Sequence, residues 1–308
     1  MAGLNYLGIG NNDSLLIPEY VCDAVIQPLN DMSINIIYYK LDSNLNPRLA
    51  NLNKIDISNS KAILMINYFG LKIKSEKYIQ FAKKNNLFII EDNAHSFFLP
   101  KENELGQMGH ISITSPRKLL DLLYGAVLKI NYKSGKKIQN FNASTVDIKF
   151  KKSMLFNIKN KIKFHLMKRK EYENPNAFEE ERVEYKNLDK RTIEYIENFD
   201  WKSMMNKRLT NYSQWESFLS KKGIEPFFND YKFNTIPLYF VGRCKTKEDL
   251  KKWLDWGWKR NIDVVTWPIL PKSLRNDIEL INLWSSIICF PIDIETSKIR
   301  KITSNINE

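Results

Sequence analysis

The chain has 308 residues, 43% of them hydrophobic and 27% charged, a composition typical of globular proteins with one large or two moderate domains. Lys and Arg outnumber Asp and Glu by 47 to 35, which gives a formal net charge of +12. No apolar run approaches the roughly 18 residues of a membrane span, no secretory signal begins the sequence, and the cysteines and histidines are too scattered for a disulfide scaffold or a metal site. These features predict a cytoplasmic protein without a metal centre.

Short apolar runs alternate with helical patterns from the first residue to about residue 132. The predicted strands cover residues 14–17, 35–41, 61–68, 87–91, 111–114 and 126–130, and helices are predicted up to about residue 29 and over 75–84. Because the strands are apolar on both faces and are separated by helices, they predict an α/β fold with a mostly parallel sheet flanked by helices.

Residues 148–170 carry nine of the basic residues and no acidic one, so the rest of the chain has a net charge of only +3. Apolar residues recur there at intervals of four from Phe150 to Leu166, which predicts an amphipathic helix with a basic outer face. Interleaved phenylalanines and lysines would also suit a nucleic-acid or anionic membrane surface. We favour the packed helix because the apolar spacing is that of a core-facing side and an acidic stretch follows over 171–185.

All seven tryptophans lie beyond residue 200, and this shift predicts a domain boundary there. The later elements predicted are helices over 207–222, from Thr246 with a Thr246–Asp249 capping box, and from about 297, and strands over 235–241, 264–267 and 287–290. We therefore expect a large domain over 1–135, a connecting segment over 136–200 and a smaller C-terminal α/β domain over 201–308.

Reactive side chains follow two of the predicted strands. The strand that ends at residue 91 runs into Asp92 and His95, and the strand over 111–114 opens into Ser115 and Lys118. Each has an ordinary explanation as a turn former, a structural histidine or a surface lysine. Ligands of open α/β sheets bind at the carboxyl ends of the strands, however, and this order suits pyridoxal phosphate: an acid for the pyridine nitrogen, an amine for the aldehyde and a hydroxyl for the phosphate.

At these residues the sequence resembles the DegT/DnrJ/EryC1/StrS family, the pyridoxal-phosphate sugar aminotransferases of fold type I. The resemblance is carried, in the family's order from about residue 8 to 130, by LLIPEYVCDAVIQPL, IIYYKLDSNLNPRLANL, KAILMINYFG, LFIIEDNAHSF and GQMGHISITSPRKLLDLLYGAVL. It is weaker in ERVEYKNLDKRTIEYI, KRLTNYSQWESFL, VVTWPILP and CFPIDIE. The EDxAH and SPRK segments are specific in combination.

The resemblance implies a role for each site residue. Asp92 pairs with the pyridine nitrogen, His95 hydrogen-bonds near the phenolic oxygen, and Ser115 contacts the phosphate. Lys118 forms the internal aldimine and then moves the proton between the substrate and cofactor carbons.

Four further residues, in two segments, take part in the resemblance. Cys22 and, less closely, Tyr20 fall where many relatives place an aromatic side chain over the cofactor ring. Trp267 and Pro268 are candidate substrate contacts from the smaller domain.

The activity implied is transfer of an amino group, usually from glutamate, to a keto group of a nucleotide-linked sugar, in a ping-pong reaction of a homodimer in polysaccharide or related sugar biosynthesis. The presence of Lys118 indicates transamination rather than dehydration. The family's first helix follows a Gly-Thr or Gly-Arg turn that binds the phosphate, whereas MAGLNYLGIG resembles the end of that helix. The alternative is therefore a catalytically weakened or inactive relative that acts as a binding or scaffold protein.

Overall fold

The computed structural model describes residues 1–99, 105–122, 125–132, 188–228 and 234–304. The predicted basic helix over 148–170 and the acidic stretch that follows it lie outside these ranges.

The N-terminal part forms a six-stranded sheet in the order β2-β1-β3-β4-β5-β6. Its strands are β1 (Ser14–Pro18), β2 (Asn35–Tyr39), β3 (Ser60–Ile66), β4 (Phe88–Asn93), β5 (Ile111–Thr114) and β6 (Val127–Ile130). The first five are parallel to their neighbours, and β6 pairs antiparallel with β5. The predicted mostly parallel sheet is confirmed.

The helices of this part are α1 (Ala2–Leu7), α2 (Asp23–Asp31), α3 (Leu49–Leu52) and α4 (Glu76–Lys84). In α4, Tyr78 and Phe81 are buried one turn apart, whereas Lys83 and Lys84 are exposed in the last turn, where cations interact favourably with the helix dipole. The apolar stripe of α4 thus covers the sheet, as its spacing predicts.

The C-terminal part forms a smaller antiparallel sheet with helices around it. Its elements are α5 (Lys190–Glu197), α6 (Trp201–Ser220), β7 (Glu225–Pro226), β8 (Tyr239–Arg243), α7 (Lys247–Lys259), α8 (Ile278–Ser285), β9 (Ile287–Pro291) and α9 (Thr296–Ser304). The predicted capping box opens α7: the Thr246 hydroxyl accepts from the Asp249 N–H at 3.0 Å, and the Asp249 carboxylate accepts from the Thr246 N–H at 3.2 Å.

Three predictions in this part are corrected. The predicted strand over 264–267 is wrong, because the segment forms a single bridge between Val265 and Cys289 before Pro268, which has no N–H to continue a ladder. The strand predicted over 235–241 begins at Tyr239, and the helix predicted from residue 207 begins at Trp201. The sequence patterns do not predict α5 and α8.

The buried side chains of both sheets form one continuous apolar cluster, which runs from Leu4 to Ile299. A second cluster packs Leu119, Leu120 and Leu122 against residues of the C-terminal helices, among them Trp201 and Met205. The turn that carries Lys118 is therefore held between the two parts of the chain. Within the described ranges, every helix is too short or too polar to span a membrane.

Candidate active site

The reactive residues lie at the carboxyl edge of the parallel sheet. The register places Asp92 of β4 beside Ile66 of β3 and Ile113 of β5, so the ends of these three strands are level. Side chains that follow neighbouring parallel strands meet at this edge. The sequence prediction that Asp92 and Lys118 share one site depends on this geometry.

Asp92 is half-buried, and its carboxylate has few hydrogen-bond partners. Within the described part of the chain one N–H, that of Ala94, donates to its Oδ1, at 2.8 Å. Burial raises the pKa of Asp92, and the Ala94 N–H and the charge of Lys118 only partly oppose that effect. The carboxylate would therefore gain from a further cation at this position.

His95 is buried and neutral. Its Nδ1 accepts a hydrogen bond from the backbone N–H of Phe69 at 3.0 Å, which places the ring proton on Nε2. Burial, and secondarily the charge of Lys118, lowers the pKa of His95 well below its usual value. At neutral pH the imidazole is thus an uncharged hydrogen-bond donor through Nε2.

The backbone that binds His95 adopts a sterically costly shape. Phe69 has φ of 57°, which is rare for a residue with a side chain, and its carbonyl accepts from the Leu238 N–H at 2.8 Å. Gly70 follows with φ of 82°, and a Cβ there would lie 2.5 Å from the carbonyl oxygens of His95 and Ile236. Only glycine permits this close approach of three chain segments.

Lys118 ends a 3₁₀ turn, Pro116–Lys118, directly after β5. Its N–H donates to the Ser115 carbonyl at 3.0 Å, and the Ser115 hydroxyl donates to the Gly125 carbonyl at 3.3 Å. The half-buried Lys118 ammonium lowers the pKa of both Asp92 and His95, which requires it to lie near both groups. The structure therefore brings Asp92, His95 and Lys118 together, with Ser115 at the start of the same turn.

Tyr20 and Cys22 have other surroundings. Tyr20 is fully buried, packs against Tyr68 and Trp267 with ring centroids 5.8 Å apart, and donates its hydroxyl proton to the Trp267 carbonyl. Cys22 is half-buried at the N-cap of α2 and presents no aromatic face. Among the described residues of the C-terminal part, the ring nearest to His95 is that of Trp267, at a centroid distance of 4.5 Å.

Sequence reasoning missed Glu91, although it directly precedes Asp92. Its carboxylate is 1% exposed and accepts five hydrogen bonds, at 2.8 to 3.2 Å, from Gly106 N, Met108 N, Gly109 N, Ser112 Oγ and Asn67 Nδ2. Successive side chains of a strand point to opposite faces, so Glu91 fixes the loop before β5 on one face while Asp92 stays available on the other. The sequence feature that could have indicated this role is a single glutamate at the end of an apolar strand.

The first 143 residues match the model of the DegT/DnrJ/EryC1/StrS aminotransferase family. A GDP-perosamine synthase of Escherichia coli O157:H7 is 26% identical over 111 residues, which are 35% of this chain and 30% of that relative. The matched part is thus less than a third of the relative's length, and the activity of this chain is treated below as a proposal.

Three solved structures have the same fold over nearly the whole chain. An aminotransferase of the DegT/DnrJ/EryC1/StrS type from Brucella abortus matches with a TM-score of 0.65 at 17% identity, over 99% of this chain and 81% of that one. Helicobacter pylori PseC, an aminotransferase involved in the biosynthesis of pseudoaminic acid, matches with a TM-score of 0.67 at 14% identity, over 99% and 82%. Bacillus subtilis NtdA with bound cofactor PMP matches with a TM-score of 0.64 at 13% identity, over 99% and 69%. At these identities the likeness shows the fold, as the family match predicts.

Proposed function

We propose that this protein is a pyridoxal-phosphate-dependent aminotransferase that aminates a keto-sugar. The observation that carries the proposal is the joint placement of Asp92, neutral His95 and the Lys118 ammonium at the ends of β4 and β5. The family match of residues 1–143 supports the same chemistry.

The three side chains fit the ring of pyridoxal phosphate. A protonated pyridine nitrogen would add a counter-ion to the Asp92 carboxylate, which the Lys118 charge compensates only in part. The Nε2–H of neutral His95 suits the phenolic oxygen, which is an acceptor. Lys118 lies near both groups, and its amine, after loss of a proton, would condense with the aldehyde carbon and release the aldehyde oxygen as water.

Pyridoxal phosphate, when bound, withdraws electrons from the substrate carbon at which the proton is lost. Lys118, once released by the incoming amino group, would accept that proton through Nζ and deliver it to the neighbouring carbon. Asp92 would keep the pyridine nitrogen protonated throughout. The Ser115 hydroxyl, which donates to the Gly125 carbonyl in this structure, would rotate to donate to the phosphate.

The substrates proposed are an amino acid such as glutamate as donor and a nucleotide-linked keto-sugar as acceptor. Support comes from the names of the similar proteins, a GDP-perosamine synthase and an aminotransferase of pseudoaminic acid biosynthesis. We extend the proposal to a homodimer in the cytoplasm that serves polysaccharide or related sugar biosynthesis, with the domains placed at 1–135, 136–200 and 201–308.

The first experiment adds pyridoxal phosphate to the purified full chain and records the visible absorbance of the lysine-bound cofactor. Borohydride reduction followed by peptide mass spectrometry should locate the adduct on Lys118. Lys118→Ala should lose the band, and the exposed Lys84→Ala should retain it. Addition of glutamate should then convert the cofactor to its amine form and release 2-oxoglutarate, and a panel of nucleotide-linked keto-sugars should restore the band.

Absence of the band in the wild-type chain, with Lys118→Ala indistinguishable from it, would contradict the catalytic proposal. The binding or scaffold alternative would then be the better account of the fold. If Lys118 is labelled but no keto-sugar is turned over, the proposal of pyridoxal phosphate as cofactor stands and the proposal of a keto-sugar substrate is wrong.

A further inference from the structure

Trp267 belongs to the C-terminal part of the chain but packs onto the candidate active site. Its ring meets the imidazole of His95 edge to face, at a centroid distance of 4.5 Å and an interplanar angle of 80°. Tyr20, Tyr68 and Phe69 surround the same indole at centroid distances of 5.4 to 6.2 Å. Aromatic pairs favour such edge-to-face contacts, and this one covers one side of His95.

The backbone that carries Trp267 is held at four successive carbonyl groups. Each accepts a hydrogen bond from a group outside the segment: Tyr20 Oη donates to Trp267, Trp284 Nε1 to Pro268 at 2.8 Å, Asp23 N to Ile269 at 3.0 Å, and Arg275 Nε to Leu270 at 2.8 Å. Two of these donors, Tyr20 and Asp23, follow β1 at the carboxyl edge of the large sheet. The indole is therefore fixed relative to the site rather than carried on a free loop.

His95 is fixed from its other side as well. The strained Phe69 donates its N–H to Nδ1 at 3.0 Å, and Gly70 packs its backbone directly on the His95 carbonyl. A buried imidazole that was needed only to fill space would not require a rare backbone conformation opposite one nitrogen. The arrangement selects one tautomer and one ring orientation.

We propose that Trp267 is a positioning residue, which shields the imidazole of His95 from water and fixes its Nε2–H as the donor to the phenolic oxygen of the cofactor. The identity of that acceptor rests on the proposed function, whereas the coupling between Trp267 and His95 does not. Position 22 of the N-terminal part holds a cysteine. The aromatic ring that packs on His95 comes instead from Trp267 of the C-terminal part.

The contact between Trp267 and His95 predicts the direction in which the pKa of His95 changes when the indole is removed. Burial is the main cause of the lowered pKa of His95, and the nearby Lys118 charge adds to it. Tyr20 and Tyr68, the neighbouring phenols, have pKa values well above their usual range and stay neutral. The carboxylate closest in sequence is Asp92, at the end of β4 and three residues before His95. Removal of the indole admits water, so the pKa of His95 should rise toward its usual value of about 6.5.

The test follows the histidine nitrogen resonances of the full chain by NMR between about pH 5 and 8, where ordinary histidines titrate, without added cofactor. The variants are Trp267→Ala, Trp267→Phe and, as a matched control, Trp256→Ala. Trp256 is also half-buried in an aromatic cluster, formed with Trp215, Phe218 and Trp253, but it does not contact His95. Trp267→Ala should raise the pKa of His95 so that the imidazole titrates within the measured pH range, and should admit the second tautomer. Trp267→Phe and Trp256→Ala should resemble the wild type.

Titration with pyridoxal phosphate then tests the acceptor. Trp267→Ala should weaken cofactor binding about tenfold and shift the pH dependence of the visible band, and Trp267→Phe should restore both. Identical His95 titrations in Trp267→Ala and wild type would overturn the positioning role. If Trp267→Ala shifts the His95 titration but leaves the cofactor affinity and the visible band unchanged, the phenolic oxygen is not the acceptor. If the wild-type chain shows no visible band, the proposed function is wrong, and the NMR titration still decides whether Trp267 positions His95.

Discussion

Two carboxylates at the same edge of the large sheet, Glu19 and Asp92, have opposite electrostatic surroundings. Glu19, after β1, is 2% exposed, accepts from the Leu41 N–H at 3.0 Å and forms an ion pair with Lys40 at 2.7 Å. Asp92, at the end of β4, receives one N–H from the described part of the chain and has a raised pKa. A carboxylate whose charge is compensated inside the fold stabilises the structure, whereas one left short of partners is available to a ligand.

The ion pair of Glu19 also joins the N-terminal and C-terminal parts of the chain. Lys40 bridges Glu19 to Asp277, the N-cap of α8, and burial acts to lower the pKa of Lys40 but is outweighed by these two carboxylates. The hydrogen bond that Asp277 accepts from Lys40 lowers the pKa of Asp277. No such bridge reaches Asp92 within the described ranges. Four predictions test this contrast, in order of the expected change in the free energy of unfolding.

Glu91→Gln should have the largest effect, a loss of about 3 kcal/mol or more, because the new amide group faces buried donors that the carboxylate satisfied. Urea unfolding of the full chain measures it. Glu76→Gln, at an exposed position in α4, should change stability by less than about 0.5 kcal/mol. Equal stability of the two variants would show that the five hydrogen bonds to Glu91 have little net value.

Lys40→Met should cost about 1–2 kcal/mol, because Glu19 loses its counter-ion while Lys40 itself is partly exposed to solvent. Lys61→Met removes an exposed lysine 3.9 Å from Asp13 and should cost less than about 0.5 kcal/mol. The visible band with pyridoxal phosphate should be intact in both variants. Loss of that band in Lys40→Met would place the β1–β2 end of the sheet in the active site and remove the contrast.

His95 should make stability depend on pH by up to about 1.4 kcal/mol per pH unit. Its pKa is lowered in the folded state, so below about pH 6.5 the unfolded chain binds more protons and the free energy of unfolding falls as the pH falls. His110, whose pKa burial also lowers, contributes with the same sign. His95→Gln should flatten the profile more than His110→Gln does, and the reverse order would argue that His95 is solvated.

Asp92→Asn should change the free energy of unfolding least, by about 1 kcal/mol or less and toward higher stability, because a poorly compensated buried charge is removed. The same variant should bind pyridoxal phosphate more weakly, since the pyridine nitrogen loses its anion. Absorbance titration and thermal unfolding of one preparation measure both effects. A large destabilisation with unchanged cofactor affinity would assign Asp92 the structural role that Glu19 has.

The sequence by itself determined the mostly parallel sheet and the candidate residues that follow β4 and β5. Apolar runs of strand length and the local order of Asp92, His95, Ser115 and Lys118 are short-range properties, and a sheet brings the ends of its neighbouring strands together by construction. The Thr246–Asp249 capping box was predictable for the same reason, because both its hydrogen bonds span three residues.

Only the tertiary structure decided which groups are compensated and which are not. Glu19 meets Asp277 through Lys40, and His95 meets Trp267, across more than 150 residues of sequence, so no local pattern encodes either contact. The segment over 264–267 reads as a strand because its residues are apolar and β-branched. It pairs with β9 through Val265 alone, however, and the Trp267 carbonyl accepts from the side chain of Tyr20 instead of a strand. Burial and the partners of each charge are properties of the whole packed chain, and they separate the carboxylate proposed to bind the cofactor from the one that stabilises the fold.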